Sequence, residues 1–481
     1  MRLSDLGEEY RGPTGQPDPE IAGITEDSRA VKPGWLFVAV PGTRQDGHAF
    51  VDDAIGRGAA ALIVERPVGG ARAVPAAVVA SSRAALAQVA ARFHGDPARS
   101  LRLIGFTGTF GKTTTSEVLR ALLAAGGRRV GLIGSLGARY DGYADPGGGL
   151  TTPAPPALHR MLRELCDRGA DTVVMEVTSH AMMLSRVEGL RFRDFVLAAI
   201  VPGEHTDFHR SYRDYVAAKA RFLDYLSPDA VLAYDADNPA ARDLAARADV
   251  AVRVGASVGR RHMVAPHDLV VADVELDDHG ALLTVHGERM RSSLLGSVNV
   301  RAVALALAHA LARDIDLRTA RRALSMLVPP ARRMQRFVLA GRTILDDIAA
   351  HPDNFRATFE VADLLPHDRL VVALAMRGGR EVDINRRNAL ALADLALVGG
   401  AARVIVTPSA DLVGAGDGAS PEEIDATRHA FAERGCEIAW EETLAGAMRA
   451  VACASSAGDL VVLVGAQGMD EGARLLREAV A

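Results

Sequence analysis

The sequence predicts an α/β protein of three domains, of which the central one contains a parallel sheet. Short apolar runs alternate with helical patterns along nearly the whole chain, which is typical of parallel sheets. One such run is followed by the loop "TGTFGKTTT" at 107–115 and then by a helical pattern. The length of 481 residues agrees with about three domains of ~150 residues.

The first predicted domain covers residues 1–97. Its strand candidates are "GWLFVAV", "AALIVE" and "AAVVA", with helical patterns between them. A Gly-Asp-Pro stretch at 95–97 indicates a linker.

The second predicted domain covers residues 98–330, and the third covers 331–481. In the second, "DTVVMEV" and "DFVLAAIV" are typical of buried parallel strands. Alternation of apolar and polar residues around "DDHG" at 277–280 predicts an antiparallel hairpin. The strand candidates of the third domain are "RTILDD", "RLVVALAM", "ARVIVTP", "CEIAW" and "DLVVLVG".

Composition excludes several classes of partner. The net charge of −5 gives the chain no general attraction to nucleic acid or to an anionic membrane, so we expect neither as a partner. Three scattered cysteines are too few for a disulfide framework or a zinc site, which fits a reducing cytoplasm. We expect no signal peptide, and no apolar run reaches the ~18 residues of a membrane span. The expected location is therefore cytoplasmic.

The glycine-rich loop predicts a phosphate site. Glycines let backbone N–H groups approach phosphoryl oxygens, a lysine adds positive charge, and a threonine hydroxyl reaches Mg2+. Gly108, Gly111, Lys112 and Thr113 hold these positions, while Phe106 stands where the longer P-loop pattern has glycine. The match is therefore to a shorter form, G-T-x-G-K-T-T. The alternative is a glycine-rich turn with no ligand.

Three polar residues near predicted strand ends are candidates for the same site, because ligands of parallel sheets bind beyond the carboxyl ends of the strands. Glu176 lies at the end of the strand candidate "TVVMEV", where a buried carboxylate is costly unless it is paired. Two interpretations of Glu176 are open: a Mg2+ ligand and a helix cap. His205 follows the next strand candidate, and a structural role is its alternative. Lys219 lies among alanines on a helix, where a solvated surface lysine is the alternative.

Together these motifs resemble, in order, those of the ATP-dependent Mur ligases, most closely the MurE-type branch that adds the third residue of the peptidoglycan stem peptide. The resemblance runs from about Ile24 to Gly468. It implies an N-terminal UDP-binding α/β domain, a central P-loop ATPase domain and a C-terminal Rossmann-like domain that binds the amino acid. The segments that carry it are "TEDSRAVKPGWLFVAVPGTRQDGHAF", "TGTFGKTTT", "LTTPAP", "EVTSHAMMLSRVEG", "GSVNV" and "ARRMQRF".

The resemblance implies roles for individual residues. Those at the ATP would be Gly108, Thr109, Gly111, Lys112, Thr113, Thr114, Asn299 and Arg333. Those at the UDP-linked substrate would be Ser28, Arg29, His48, Thr151, Thr152, Ser179 and Arg186. The metal residues would be Thr113, Glu176, His205 and Lys219, the last as a carbamylated lysine. Lys112, Glu176, His205 and Lys219 would be the catalytic group, with ATP and Mg2+ as cofactors.

The third domain departs from the family pattern. The family's Asp-Tyr-Ala-His-Thr-Pro is "DIAAHP" here, so Ala350 replaces the histidine and His351 follows it. "GCGGDRD" becomes "AMRGGREVD", the Asp-Asn-Pro-Arg signature for diaminopimelate is absent, and Gly-Lys-Gly-His-Glu becomes "GAQGMDE". These changes argue against the standard amino acid.

The resemblance implies a reaction in which ATP converts a carboxylate to an acyl phosphate and an amine then displaces phosphate. Three functions are open. The first is a monomeric ligase that adds an amino acid to a UDP-N-acetylmuramoyl-peptide or a similar acid. The second is a related amide ligase of a specialised pathway with a different acid and amine. The third is a non-catalytic nucleotide-binding protein, which the retained lysines, Glu176 and His205 disfavour.

Overall fold

The computed structural model describes residues 1–10, 17–42, 45–68, 74–202, 208–259, 268–414 and 418–480. The chain forms two compact units. The first contains Met1–Ser257 and Leu305–Thr319, and the second contains Val270–Ala304 and Ala320–Ala481. The boundaries predicted for three domains stay a prediction.

The first unit begins with a parallel sheet of four strands in chain order. The strands are β1 (Gly23–Thr25), β2 (Trp35–Val38), β3 (Ala61–Val64) and β4 (Ala76–Val78), and the helices are α1 (Val51–Gly56) and α2 (Ser82–Phe93). Because β2 and β3 are almost fully buried, they carry continuous apolar runs rather than an alternating pattern. The three predicted strands of this region are confirmed.

The larger sheet of the first unit carries the phosphate loop. Its strands are β5 (Arg102–Thr107), β6 (Val130–Gly134), β7 (Gly137–Tyr140), β8 (Tyr143–Asp145), β9 (Thr172–Glu176), β10 (Phe192–Leu197), β11 (Leu226–Asp235) and β12 (Val252–Val258). Their order is β12-β11-β10-β5-β9-β6-β7-β8, parallel as far as β6 and antiparallel beyond it. The helices are α3 (Lys112–Ala125), α4 (Pro155–Asp167), α5 (Ser179–Met183), α6 (Tyr212–Ala220) and α7 (Pro239–Ala246).

The predicted hairpin is confirmed as an antiparallel meander. It consists of β13 (Leu269–Asp277), β14 (Gly280–Val285) and β15 (Glu288–Ser292), and Asp277 pairs with Gly280 across the turn. The helices α8 (Ser297–Leu311) and α9 (Leu317–Ser325) follow.

The rest of the second unit is a six-stranded α/β sheet. Its strands are β16 (Gln335–Leu339), β17 (Arg342–Asp347), β18 (Leu370–Ala375), β19 (Arg403–Thr407), β20 (Ile438–Trp440) and β21 (Leu460–Gly465). The helices are α10 (Pro352–Leu364), α11 (Val382–Val398), α12 (Pro421–Glu433), α13 (Leu444–Ala454) and α14 (Gly472–Val480). The order is β16-β17-β21-β18-β19-β20, with only β16 antiparallel to its neighbour.

The five strands predicted here are confirmed, whereas β16 was not predicted. Separate apolar clusters cover the two faces of this sheet, as expected for a parallel sheet between helix layers. Within the described part of the chain, no helix is both long enough and apolar enough to span a membrane.

Candidate active site

The phosphate loop connects the carboxyl end of β5 to the first turn of α3. Gly111 caps α3 with φ of 76° and ψ of 0°, a left-handed conformation that favours glycine. A Cβ on Gly108 would lie 2.6 Å from the Ala198 Cβ, so glycine is also required there for close packing. The loop therefore leads into a helix N-terminus, where backbone N–H groups and the helix dipole favour an anion.

The side chains of the loop are held by hydrogen bonds within the site. Lys112 Nζ donates to the carbonyls of Gly108 and Thr109, each at 3.1 Å. The Thr109 hydroxyl lies 3.1 Å from the Tyr215 hydroxyl and accepts from the Val201 N–H at 3.0 Å. Lys112 thus lies folded over the loop at which a phosphate would bind.

Glu176 lies at the end of β9 and faces the loop. Its side chain is 2% exposed, and Oε1 accepts a hydrogen bond from the Thr113 hydroxyl at 2.9 Å. Ser135 donates its N–H to Oε1 and its hydroxyl to Oε2, both at 3.1 Å. A Cβ on Gly134 would lie 2.3 Å from Oε1, so glycine there makes room for the carboxylate. The cap of the next helix is Thr178, which rules out the alternative of a Glu176 cap.

This arrangement fits a magnesium ion. Mg2+ prefers hard oxygen ligands, and one hydroxyl, one carboxylate and substrate phosphates with water are a common set in nucleotide sites. Thr113 and Glu176 bring the two protein oxygens together. Among the described residues, no group of three or more acidic, histidine or cysteine side chains is arranged so that it could hold a metal ion. The third predicted metal residue, His205, lies outside the described residues.

Lys219 is buried beside the same loop, which overturns the surface alternative. It lies on α6 and is 1% exposed, and its Nζ donates to the Gly108 carbonyl at 2.9 Å and to the Thr107 hydroxyl at 3.3 Å. Nζ also lies 4.7 Å from the centre of the Tyr215 ring. Burial, followed by the charge of Lys112, holds the pKa of Lys219 well below its usual value. A neutral amine is therefore favoured at this position.

The predicted substrate residues after β8 and β9 converge on Glu176. The Thr152 hydroxyl donates to the Glu176 carbonyl at 2.9 Å, and the Thr151 hydroxyl lies 3.0 Å from that of Ser135. Arg186 donates to the Thr152 carbonyl at 3.0 Å. The threonine segment and the nucleotide loop therefore share one carboxylate-bearing residue.

Ser179 is buried at the start of α5 and meets a residue that sequence reasoning missed. Its hydroxyl lies 3.0 Å from Nε2 of His209, whose ring is itself buried. His180 contacts the same group, with its ring 5.7 Å from that of His209. The sequence signal was the histidine in "DFH", four residues after His205.

The predicted uridine residues lie on the N-terminal sheet. Ser28 is buried, whereas Arg29 is exposed and forms an ion pair with Asp27 at 2.8 Å. His48 uses both ring nitrogens internally: Nε2 accepts from the Glu65 N–H at 2.8 Å, and Nδ1 lies 2.7 Å from Asp46. Since Nε2 is an acceptor, Nδ1 carries the proton and donates to Asp46. His48 therefore shapes its loop.

Glu26 is a second residue that sequence reasoning missed. Its Oε2 is buried and makes no hydrogen bond with the residues that the structure describes. Burial raises the pKa of Glu26, and the charges of Arg186 and Arg83 oppose the rise. Glu26 thus lies within the electrostatic reach of the predicted substrate residue Arg186. The signal was its position within "TEDSR".

Two predicted nucleotide residues lie in the second unit. Asn299 is buried near the start of α8 and donates to the Leu295 carbonyl at 2.7 Å. Arg333 donates to the Arg332 carbonyl at 3.0 Å. The role of Asn299 at the adenine and the role of Arg333 at the start of the third domain stay predictions.

Two changed segments of the third domain, "GAQGMDE" and "DIAAHP", have structural partners, and the partner of the first is Arg332. Arg332 is buried with φ of 56°, and its guanidinium contacts the ends of β17 and β21. Its acceptors are Asp346, Asp470 and the carbonyls of Asp347, Gly465 and Ala466. His351, which follows the missing histidine, caps α10 by accepting the Asp353 N–H at 3.3 Å. His351 therefore has a local structural role.

A glycine-capped helix N-terminus, with a strand-end carboxylate on the threonine of its loop, is a nucleotide site of an α/β protein. Models of known families identify the class of protein. The Mur ligase middle domain matches residues 106–310, the Mur ligase glutamate ligase domain matches 332–467, and the Mur ligase family catalytic domain matches 20–94. The chain belongs to the Mur ligase family, and it is an ATP-dependent ligase.

Relatives and solved structures agree with this family. A UDP-N-acetylmuramoyl-L-alanyl-D-glutamate–2,6-diaminopimelate ligase of Ectopseudomonas mendocina is 35% identical, over 75% of this chain and 74% of that protein. Crystal structures of MurF from Acinetobacter baumannii and of MurF from Thermotoga maritima in complex with ADP share the fold. The first has a TM-score of 0.71 and 21% identity over 100% of this chain and 99% of that one. The second has a TM-score of 0.64 and 21% identity over 95% and 97%.

Proposed function

We propose that this enzyme uses ATP to join an amino acid to a carboxylate of a UDP-N-acetylmuramoyl-peptide-like acid in peptidoglycan synthesis. The relative from Ectopseudomonas mendocina is named for such a ligation. The predicted substrate residues Thr151, Thr152 and Arg186 lie next to the phosphate loop rather than apart from it. Ligation needs this proximity, because the acid must reach the γ-phosphate.

The two hydrogen bonds that Glu176 accepts, one on each side of the site, are the observation that carries the proposal. Its carboxylate accepts from Thr113 of the nucleotide loop, and its carbonyl accepts from Thr152 of the substrate segment. A protein that only bound a nucleotide would not need the second connection. Glu176 would therefore fix the position of the nucleotide loop relative to the segment that binds the acid.

In the first step of the proposed reaction, a carboxylate oxygen of the acid attacks the γ-phosphorus of ATP. The bond from that phosphorus to the bridging oxygen breaks, and ADP leaves. Two anions must approach one another, so positive charge and oriented N–H groups lower the barrier. Lys112 would exchange the Gly108 and Thr109 carbonyls for phosphoryl oxygens, while the N-terminus of α3 faces the phosphates.

Thr113 and Glu176 would hold Mg2+, which supplies Lewis-acid stabilisation of phosphoryl charge. Lys219 would add a second anionic ligand after carbamylation, with His205 as its predicted partner. A neutral lysine amine adds to CO2 with loss of one proton, which leaves an N–C bond and a carboxylate. Burial that favours the neutral amine supports this assignment.

In the second step, the amine nitrogen attacks the acyl carbon, the carbon–oxygen bond to phosphate breaks, and the amine loses a proton. The exposed acyl phosphate would react with water, so the site must exclude solvent during this step. We further propose that the enzyme acts as a monomer. The reaction would occur in the cytoplasm, because its charged nucleotide-linked substrates do not cross a membrane unaided.

A phosphate-release assay that crosses acids with amines tests the proposal. The protein, ATP and Mg2+ are incubated with the UDP-N-acetylmuramoyl-dipeptide and each of the proteinogenic amino acids. The masses of the products are measured by mass spectrometry. We expect phosphate release that depends on both the acid and an amine, with a product heavier by one amino-acid residue. Phosphate release unaffected by the acid would contradict the proposal.

A second candidate is an amide ligase of a specialised pathway that uses another acid and amine. The changed third domain favours it, since Ala350 replaces the family's histidine and "GAQGMDE" replaces Gly-Lys-Gly-His-Glu. The same assay distinguishes the two functions: the second candidate predicts no product from the muramoyl dipeptide but product from a different carboxylic acid.

A further inference from the structure

A cleft of about 660 Å³ lies in the first unit, at the amino ends of β5 and β10. This volume is within the ~300–1,000 Å³ found for small-molecule sites. The described lining contains no acidic side chain and four arginines, which are Arg99, Arg102, Arg191 and Arg193. We call this site the arginine cleft, and its charge suits an anion.

The arginine cleft lies at the opposite edge of the sheet from the phosphate loop. β5 begins at Arg102 and leads into the loop after Thr107, and β10 runs parallel to it. The six residues of β5, at about 3.3 Å per residue, separate the two edges by roughly 20 Å. A small ligand in the cleft therefore does not reach the loop, and the two sites are distinct.

Arg102 is oriented by a buried carboxylate. Asp194 on β10 is fully buried, and its Oδ2 accepts from a terminal nitrogen of Arg102 at 3.0 Å. Its Oδ1 accepts from the Val231 N–H at 3.0 Å and from Arg313 Nε at 3.1 Å, and His309 Nε2 lies 3.3 Å from Oδ2. One carboxylate thus serves two arginines and cannot neutralise both, while the Arg102 side chain remains 33% exposed.

Arg191 and Arg193 are exposed and use few of their donors within the protein. Among the described residues, Arg191 donates to the carbonyl of Asp224 and has no carboxylate within ion-pair distance. One terminal nitrogen of Arg193 pairs with Asp229 at 2.8 Å. Because a guanidinium has five N–H donors, each of the two arginines keeps several for a ligand.

The ion pairs around the arginine cleft leave an excess of positive charge. Together with Arg313, the four cleft arginines meet three carboxylates among the described residues, which are those of Asp96, Asp194 and Asp229. Asp194 serves two arginines, and Arg191 has none of the three. A concave site with uncompensated charge of one sign concentrates ions of the opposite sign.

The chemistry of the lining favours phosphate groups. Guanidinium binds phosphate oxygens with two parallel N–H donors, and a chain of phosphates engages several guanidinium groups at once. The rest of the lining is Ala98, Ser100, Gly189 and the buried Leu101, so a ligand with a large apolar part would find little surface to contact. The chain has a net charge of −5, which disfavours a nucleic acid or an anionic membrane as the ligand.

We propose that the arginine cleft binds a small molecule that carries two or more linked phosphate groups. Arg102 supplies a donor whose direction Asp194 fixes, and Arg191 and Arg193 supply charge and further donors. The inference goes beyond the proposed ligation, which uses the other edge of the sheet and does not involve these residues.

Calorimetry with the full chain tests the arginine cleft, with inorganic triphosphate as the probe. The background is Lys112→Ala combined with Arg29→Ala, which removes a charge from the phosphate loop and one from the predicted uridine diphosphate site. In this background, triphosphate should bind about tenfold or more tightly than orthophosphate, because additional charged hydrogen bonds form. Binding is measured without turnover, so the result does not depend on the proposed function.

Substitutions in this background locate the bound triphosphate. Arg191→Ala combined with Arg193→Ala should weaken triphosphate binding by about tenfold or more, because charged hydrogen bonds are lost. Arg474→Ala is the control, since Arg474 is a surface arginine of the second unit that pairs with Glu471 and Glu478. It should leave binding unchanged. Circular dichroism and melting curves verify that each variant is folded, and Arg191→Glu, at an exposed position, provides an independent loss of binding.

Two further probes identify the class of ligand. Tighter binding of ADP than of triphosphate would assign the cleft to a nucleotide, and the reverse would assign it to a free phosphate chain; either result supports the proposal. Citrate carries similar charge without phosphate, and binding of citrate as tight as that of triphosphate would overturn the phosphate assignment. Triphosphate binding that is absent from the background variant, or that Arg191→Ala combined with Arg193→Ala leaves unchanged, would overturn the site itself.

Discussion

Lys112 and Lys219 donate hydrogen bonds to the same acceptor, the carbonyl oxygen of Gly108, at 3.1 and 2.9 Å. An ammonium group that is buried loses hydration, and a second ammonium at the same oxygen also repels it. Lys219 is the buried partner, and burial, followed by the charge of Lys112, holds the pKa of Lys219 well below its usual value. In the proposed function, Lys112 would contact the phosphates, and Lys219 would be the amine that is carbamylated.

Lys112→Ala should lower the rate of phosphate release by roughly 10²-fold or more, the scale of losing one preorganised electrostatic donor. The rate of phosphate release is measured at fixed time points with saturating acid and amine. Arg120→Ala is the matched control, because Arg120 lies on the same helix but pairs with Glu117 at the surface. Unchanged kinetics in Lys112→Ala would rule out this loop as the ATP site.

Lys219→Ala should abolish ligation and leave ATP binding largely intact, because the substitution removes the amine that would become the carbamate. Added acetate or propionate should restore part of the activity by supplying a carboxylate in the resulting space. ATP affinity is measured by calorimetry, and ligation by product mass. Normal turnover in Lys219→Ala would show that the amine has no part in the reaction.

His159 should make the first unit sensitive to acid. It is 1% exposed on α4, and burial, followed by the charge of His94, lowers its pKa from 6.5 to about 4. As the pH falls from 6.5 to 4, the His159 imidazole binds a proton in the unfolded chain but not in the folded chain. The free energy of unfolding therefore decreases in this pH range. The loss reaches about 3 kcal/mol at pH 4.

His159→Leu should therefore melt at a higher temperature than the parent protein, and the gap should widen between pH 6.5 and 4. Thermal unfolding across this range provides the measurement. His279→Leu serves as a control, since His279 has a side chain that is 70% exposed. A constant difference between parent and His159→Leu at all pH values would refute the burial argument.

Meso-diaminopimelate should be a poor substrate. The family pattern has an arginine after the strand equivalent to β19, whereas residues 408–423 contain no arginine. A distal carboxylate would lose charged hydrogen bonds of ~1.5–3 kcal/mol each, and discrimination on this basis reaches about 10⁴-fold. An amino-acid panel with the UDP-linked dipeptide gives the relative kcat/KM. Meso-diaminopimelate turnover equal to that of the best substrate would refute the prediction.

The strands and the phosphate loop were predictable because their signals are local. Apolar runs fixed β9 and β10, and glycine with lysine and threonine fixed the loop ahead of α3. The burial of Lys219 was not predictable, because its alanine neighbours suit a surface helix as well as a packed one. Only the fold places α6 over the loop. The pairing of Arg332 with Asp346 likewise joins two residues that no sequence period relates.

Isotope transfer from the acid tests the central claim most directly. When both oxygens of the reacting carboxylate are labelled with 18O, the oxygen that attacks the γ-phosphorus stays on phosphate after the amine displaces it. Turnover with ATP and the preferred amino acid should therefore release phosphate that carries one 18O atom per molecule of amide formed. Amide formation with unlabelled phosphate would contradict an acyl phosphate intermediate and the ligase mechanism proposed for this chain.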